Sequence, residues 1–240
     1  MKLRPPRIRI PFRRPGRPRW WVVLLPGLGL LIATSALAGG LHGTVRIVSE
    51  VRSAPMESSL DPYAGTLNSL GKSNDPAPRI TTPKDVVVYL TGASTRIAPA
   101  PSAGTPALRQ INQSFEPHVL GVPVGTTVEF PNMDLVYHNV FSYSKTRRFD
   151  LGYYGKGKSK RVTFDRPGIV QVFCDIHSTM SAYVFVADTP FVTQPDENGE
   201  YGFDDLPNGT YTLKVWHPDL GERSMTVTVD DGSSSVDVNL

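Results

Sequence analysis

Cysteine occurs once in this 240-residue sequence, at position 174. A single thiol excludes an internal disulfide framework, and in an exported chain an odd thiol is either paired between chains or occupied by function. Helical periodicity is also missing. Beyond Gly39 no stretch repeats apolar residues at intervals of three and four. Acidic residues are absent from the first 38 positions, which hold eight basic ones (Lys2, Arg4, Arg7, Arg9, Arg13, Arg14, Arg17 and Arg19). The formal charge of +3 therefore belongs to that leader. The remainder carries 17 basic residues against 22 acidic, which argues against nucleic acid as a partner.

The leader joins a basic region ending at Arg19 to an apolar run over 20–33, then to Ala36, Leu37 and Ala38 before two glycines. This order reads as a secretory signal peptide, residues 1–38, cut after Ala38. An uncleaved N-terminal anchor is the alternative, because 20–38 is just long enough to span a bilayer, although Pro26, Gly27 and Gly29 weaken it as a helix. Arg13 and Arg14 are followed by Pro15 and lack the context of a twin-arginine signal. Either reading puts the rest of the chain outside the cytoplasm, in a periplasm or its equivalent. Membrane contact then comes only through an uncleaved leader.

What is present is strand. The 22 prolines and 21 glycines divide the chain into short runs rich in Val, Thr, Phe and Tyr, so the predicted class is all-β. Predicted strands cover 43–49, 85–90, 119–122, 126–130, 139–143, 160–164, 168–173 and 182–186, then 201–203, 210–216, 224–229 and 235–239. Residues 52–83 and 93–106 are too polar or too proline-rich to order a core of their own and read as an excursion and a linker.

Two themes recur in the tail. Asp196, Glu197, Asn198 and Gly199 predict a hairpin turn of the Asn-Gly kind, followed by Tyr201 and Phe203. Leu206, Pro207, Gly209, Tyr211 and Leu213 then run into two alternating strands. This pattern resembles the carboxypeptidase-regulatory, transthyretin-like β-sandwich family. The opening strands of that family are not found just upstream but far back, at Gly43 and Val45 and again at Val86, Val88 and Leu90. A split sandwich is therefore expected, with first strands in 41–92, the remainder in 188–240 and a second domain in 107–187. A tandem arrangement, with the early strands serving the second domain, is the alternative.

Within 172–184, Cys174, His177 and Met180 recur at every third residue. Cysteine alone is more often a buried core thiol than a ligand. Given one cysteine, His at +3 and Met at +6 arise by chance on the order of once in two thousand. A soft thiolate, an imidazole and a thioether on one loop make an incomplete blue-copper site, which needs a second histidine. Structural zinc fits poorly, since methionine is a weak fourth ligand.

Upstream stand Val122, Gly125 and Val128, then Asn132 and Asp134, the pair His138 and Asn139, Phe149 with Gly152, and Pro167 with Gly168. In that order they resemble the plastocyanin-like cupredoxins over about 80 residues, with the short ligand loop of amicyanin-like members. The resemblance implies a cupredoxin Greek-key sandwich inserted in, or joined to, the second Ig/transthyretin-like sandwich. It also implies one type 1 copper held by His138, Cys174, His177 and Met180, with Asn139 steadying the loop. His42, His118 and His217 are expected to be structural or exposed, and Met133 to be no ligand.

The expected function is that of an exported one-electron carrier, not an enzyme, whose redox partners are proteins such as a cytochrome or a dehydrogenase. The alternative is a copper-handling module. A cysteine hydrolase is disfavoured because no orienting carboxylate or amide accompanies His177 in the sequence. Lys145, Arg147, Arg148, Lys156, Lys158, Lys160 and Arg161 form a basic interval, either a solvated hairpin or a docking patch for an acidic partner.

Overall fold

The computed structural model describes residues 38–48, 82–92 and 104–240. The expected leader up to residue 37, the excursion up to residue 81 and the linker up to residue 103 lie outside the described residues. The described residues are all-β apart from one 3₁₀ turn at Pro83–Asp85. Among them no helix is long and apolar enough to cross a membrane.

The early strands are β1 (Ala38–Arg46) and β2 (Val87–Thr91). Next come β3 (Arg109–Ile111), β4 (Ser114–Glu116), β5 (Val119–Pro123), β6 (Thr126–Pro131), β7 (His138–Ser142), β8 (Phe149–Tyr154), β9 (Ser159–Phe164), β10 (Gly168–Phe173) and β11 (Ser181–Ala187). The tail forms β12 (Val192–Thr193), β13 (Glu200–Pro207), β14 (Gly209–His217), β15 (Gly221–Val229), β16 (Ser233–Ser235) and β17 (Val238–Asn239).

These strands enclose two cores. In the first, β1 pairs antiparallel with β13 and parallel with β16 and β17, while a second sheet runs β12-β2-β14-β15. Leu41, Val88, Leu90, Leu206, Tyr211 and Leu213 fill the space between them. In the second, a five-stranded sheet runs β5-β11-β10-β7-β8, accompanied by the pairs β6-β9 and β3-β4. Its core gathers Leu108, Phe130, Val140, Phe164, Val172 and Val184, and it includes Cys174 and Met180.

Two strands are buried on both faces, which explains their unbroken apolar runs. On β2, Val88 and Leu90 point into the first core, while Val87 and Tyr89 point the other way. On β11, Ala182, Val184 and Val186 point into the second core, and Phe185 and Ala187 point away from it. The outward residues meet in a third cluster with Val119 and Trp216, in which the Phe185 and Trp216 rings lie 5.0 Å apart. Gln194 ties the same seam with polar bonds. Its Oε1 accepts the Gly121 N–H at 2.9 Å, and its Nε2 donates to the carbonyls of Lys84 and Val119 at 3.0 and 3.1 Å. Gly121 allows the approach, because a Cβ there would come within 2.9 Å of Val87 Cγ1.

The structure corrects the sequence in several places. The first strand begins earlier than expected and ends at Arg46. The turn at 196–199 is a corner and not a hairpin, since β12 pairs with β2 while β13 pairs with β1. Only Gly199 has a positive φ there (85°), whereas an Asn-Gly hairpin of type I′ needs two such residues. The Asp196 carboxylate bends the chain by accepting the N–H groups of Asn198 and Glu200, each at 2.8 Å. Strands β3, β4, β8, β12 and β16 were not expected. The β3–β4 hairpin turns on Asn112 and Gln113 with φ of 53° and 54°, without the glycine that usually marks such a turn.

Candidate metal centre

Strand pairing sets the frame of the ligand loop. Phe173 at the end of β10 lies opposite Ser181 at the start of β11, so Cys174 and Met180 face each other across the neck of the loop between them. The Cys174 N–H donates to the Met180 carbonyl at 3.3 Å, and the Met180 N–H to the His177 carbonyl at 2.9 Å. A β-hairpin neck and an internal turn thus hold all three positions. His138 comes from the first residue of β7, the neighbour of β10 in the same sheet.

His138 and Met180 are fully buried, Cys174 is nearly so, and His177 is half-buried. The Nδ1 atoms of His138 and His177 lie 3.1 Å apart, and Cys174 Sγ is 3.9 Å from each. All three donor atoms fall within 4.8 Å of one another. A triangle with these sides has a point about 2.1 Å from every corner, within the roughly 2.0–2.3 Å at which imidazole nitrogen and thiolate sulfur bind a transition metal. Two imidazoles and one thiolate in a trigonal set, with a methionine from the same loop beside them, fit copper by donor chemistry.

Asn139 follows His138 and is buried. Its Oδ1 accepts the Asp175 N–H at 3.3 Å, and its Nδ2 donates to Asp150 Oδ1 at 2.8 Å. It therefore fastens the backbone just after Cys174 to β8. Asp150 also accepts the Gly152 N–H at 2.8 Å, and Asp175 accepts the Tyr153 hydroxyl at 2.6 Å.

Asp134 stands in the sequence only as part of the turn motif with Asn132, and its place against His138 is what sequence reasoning missed. Its Oδ2 lies 2.8 Å from His138 Nε2, on the ring edge opposite the donor triangle. The carboxylate also accepts the N–H groups of Asn112 at 2.7 Å and Gln113 at 2.9 Å. Burial acting alone would raise its pKa. The N–H of Gln113, the His138 ring and the N–H of Asn112 outweigh burial and hold the carboxyl below its ordinary value. The one signal available in the sequence was an acidic residue in the turn four positions before His138.

The remaining histidines lie outside the donor cluster. His217 is buried and accepts the N–H groups of Asp219 and Leu220 at Nδ1, at 3.1 and 3.3 Å. His118 Nδ1 is 3.0 Å from the Ser181 carbonyl, and the exposed His42 is 3.5 Å from Asp204. Met133 is 52% exposed. In the basic interval, Arg147 pairs with Asp165 and Arg161 with Glu129. Lys160 lies over the Tyr154 ring, and Arg148 over Tyr143. Lys145, Arg148, Lys156 and Lys158 have no acidic partner among the described residues.

No protein-family model matches the chain, and no curated protein sequence matches it. Among solved structures it is similar to the Cu-containing nitrite reductase (NirK) from Thermus scotoductus SA-01, at 31% identity over 35% of this chain and 22% of that one, with a TM-score of 0.33. It is similar to a purple cupredoxin from Nitrosopumilus maritimus, at 28% identity over 32% of this chain and 84% of that one, with a TM-score of 0.30. It is similar also to the Cu(I) form of a methionine-to-alanine mutant of amicyanin, at 20% identity over 42% of this chain and 98% of that one, with a TM-score of 0.34. The chain spans about a fifth of the length of the nitrite reductase it matches.

Proposed function

We propose that this protein is an exported one-electron carrier of the cupredoxin kind, with a type 1 copper site formed by His138, Cys174, His177 and Met180. The donor triangle carries this reading: three soft or borderline donors converge on one point at bonding distance for a transition metal. A copper ion bound there supplies reversible one-electron exchange. The chain contributes rigidity and exclusion of water. His138 is fixed by a strand, Cys174 and Met180 by the loop neck, and all three are shielded from solvent. Such a frame holds one geometry through a change of charge.

A carrier also needs a way for electrons to leave. His177 is the only one of the four that reaches solvent, and Leu135, Tyr137 and Ile176, which flank the ligands in sequence, are exposed apolar side chains suited to a transient contact. Redox proteins such as a cytochrome or a dehydrogenase are the proposed partners, outside the cytoplasm.

The domain order proposed is nested, with residues 107–187 inserted into a transthyretin-like sandwich built from 41–92 and 188–240. Pairing of β1 with β13 and of β2 with β14 supports it.

The test of function is copper loading. One equivalent of Cu(II) should give an intense visible thiolate-to-copper band that ascorbate bleaches reversibly. Uptake of Cu(I) alone, with no colour, would support copper handling in place of electron transfer.

A further inference from the structure

Asp134 is bound on three sides. The two backbone N–H groups at the tip of the β3–β4 hairpin grip its two carboxylate oxygens, Asn112 on Oδ1 and Gln113 on Oδ2, and the same Oδ2 meets His138 Nε2. Its own N–H donates to Asn132 Oδ1 at 2.8 Å, and the Asn132 amide in turn donates to the Val136 and Tyr154 carbonyls at 2.9 Å each. The hairpin is pinned to this segment by the Met133 N–H on the Gln110 carbonyl at 2.9 Å. An ionised carboxylate can only accept. The proton of a neutral His138 ring must therefore sit on Nε2, which leaves the lone pair of Nδ1 facing His177 and Cys174.

We propose that Asp134 is a positioning residue that fixes the tautomer and orientation of His138 before metal arrives, and that the β3–β4 hairpin tip exists to hold Asp134 in place. The paired left-handed residues at that tip aim two consecutive N–H groups at one carboxylate, which accounts for a strained, glycine-free turn in a hairpin remote from the ligand loop in sequence. Asparagine is a poor substitute. With its oxygen at the Oδ2 position its NH₂ faces the Asn112 N–H, donor against donor, and after a flip the NH₂ faces both the Gln113 N–H and His138. The idea rests on the copper reading for its purpose but not for its observable, because the tautomer is a property of the metal-free protein.

The experiment uses the metal-free full-length protein labelled with ¹⁵N at histidine, at about pH 8, where an ordinary imidazole is neutral. Wild type should show His138 as a single Nε2–H tautomer with an exchange-protected ring proton. Asp134→Ala should show mixed tautomers and a rapidly exchanging proton, and Asp134→Asn, which keeps an acceptor at His138 only with donor facing donor at Asn112, should show a ring proton that exchanges faster than in wild type, both with the wild-type circular dichroism. Competition with a Cu(I) chelator should then show a loss of affinity of about 10- to 100-fold in both variants. If Asp134→Ala keeps the wild-type tautomer, or if wild type carries the proton on Nδ1, the proposal is overturned. A wild-type protein with the expected tautomer that takes up no copper would leave the positioning role intact and sink the carrier reading instead.

Discussion

At the scale of single residues, the buried imidazoles do different work according to what faces them. His138 has an acid behind it and open donors in front. His217, in contrast, is closed off, with two turn N–H groups directed at Nδ1, so it is built to be neutral. Burial lowers its pKa below the ordinary 6.5, with Asp219 and Asp85 opposing only part of that effect. The unfolded chain therefore takes up a proton before the folded one does. The stability contributed by neutral His217 is complete above about pH 6.5 and is lost as the pH falls through the lower folded value. Urea midpoints measured from pH 8 to 5 should decline across the acid part of this range, and His217→Asn, whose side-chain oxygen can take the same turn bonds, should reduce the decline. An identical decline in the variant would show that His217 is not the group responsible.

Among the elements, β2 and β11 matter most because each is buried on both faces and joins two cores through the cluster around Phe185 and Trp216. Phe185→Ala should cost about 3–5 kcal/mol, the usual cost of truncating a buried aromatic. Thermal unfolding should change from one transition to two as the cores lose their shared layer. A single transition with a shift below about 1 kcal/mol would mean that the seam contributes little. How far these elements were legible depended on how local their signals are. Strands such as 126–130 and 168–173 could be read because alternation and a nearby glycine or proline lie within a few residues. Cys174, His177 and Met180 stood out for the same reason, being packed into seven positions. The β3–β4 hairpin was missed because its turn carries no glycine and its strands are three residues each, although Asn112 is of a type that tolerates the left-handed conformation. Asp134 could be read only as a turn residue beside Asn132, because what holds its carboxylate against His138 is contact with residues 21 and 22 positions away. The corner at 196–199 misled for the opposite reason, since a local hairpin signal was overruled by the pairing of its two arms with different sheets.

For the whole molecule, the charge distribution sets how partners meet it. Beyond the leader the sequence is acidic, yet Lys145, Arg148, Lys156 and Lys158, in the interval between His138 and Cys174, have no acidic partner among the described residues. Oxidation of the reduced protein by hexacyanoferrate, an anion, should slow several-fold as ionic strength rises from about 10 to 200 mM, because screening shortens the reach of that patch. Acceleration with salt would show that the acidic remainder governs encounter. The nested order can be tested by deleting 107–187 and closing the gap with a short linker, which should leave a β-rich product that melts cooperatively, whereas a disordered product would favour the tandem order. The central claim, that His138, Cys174, His177 and Met180 form one blue-copper centre, is tested most directly by the optical and paramagnetic-resonance spectrum of the whole protein with one equivalent of Cu(II), compared between wild type and Cys174→Ser. The visible band should be intense in wild type and absent in the variant. A band that survives the loss of Cys174 would contradict the assignment.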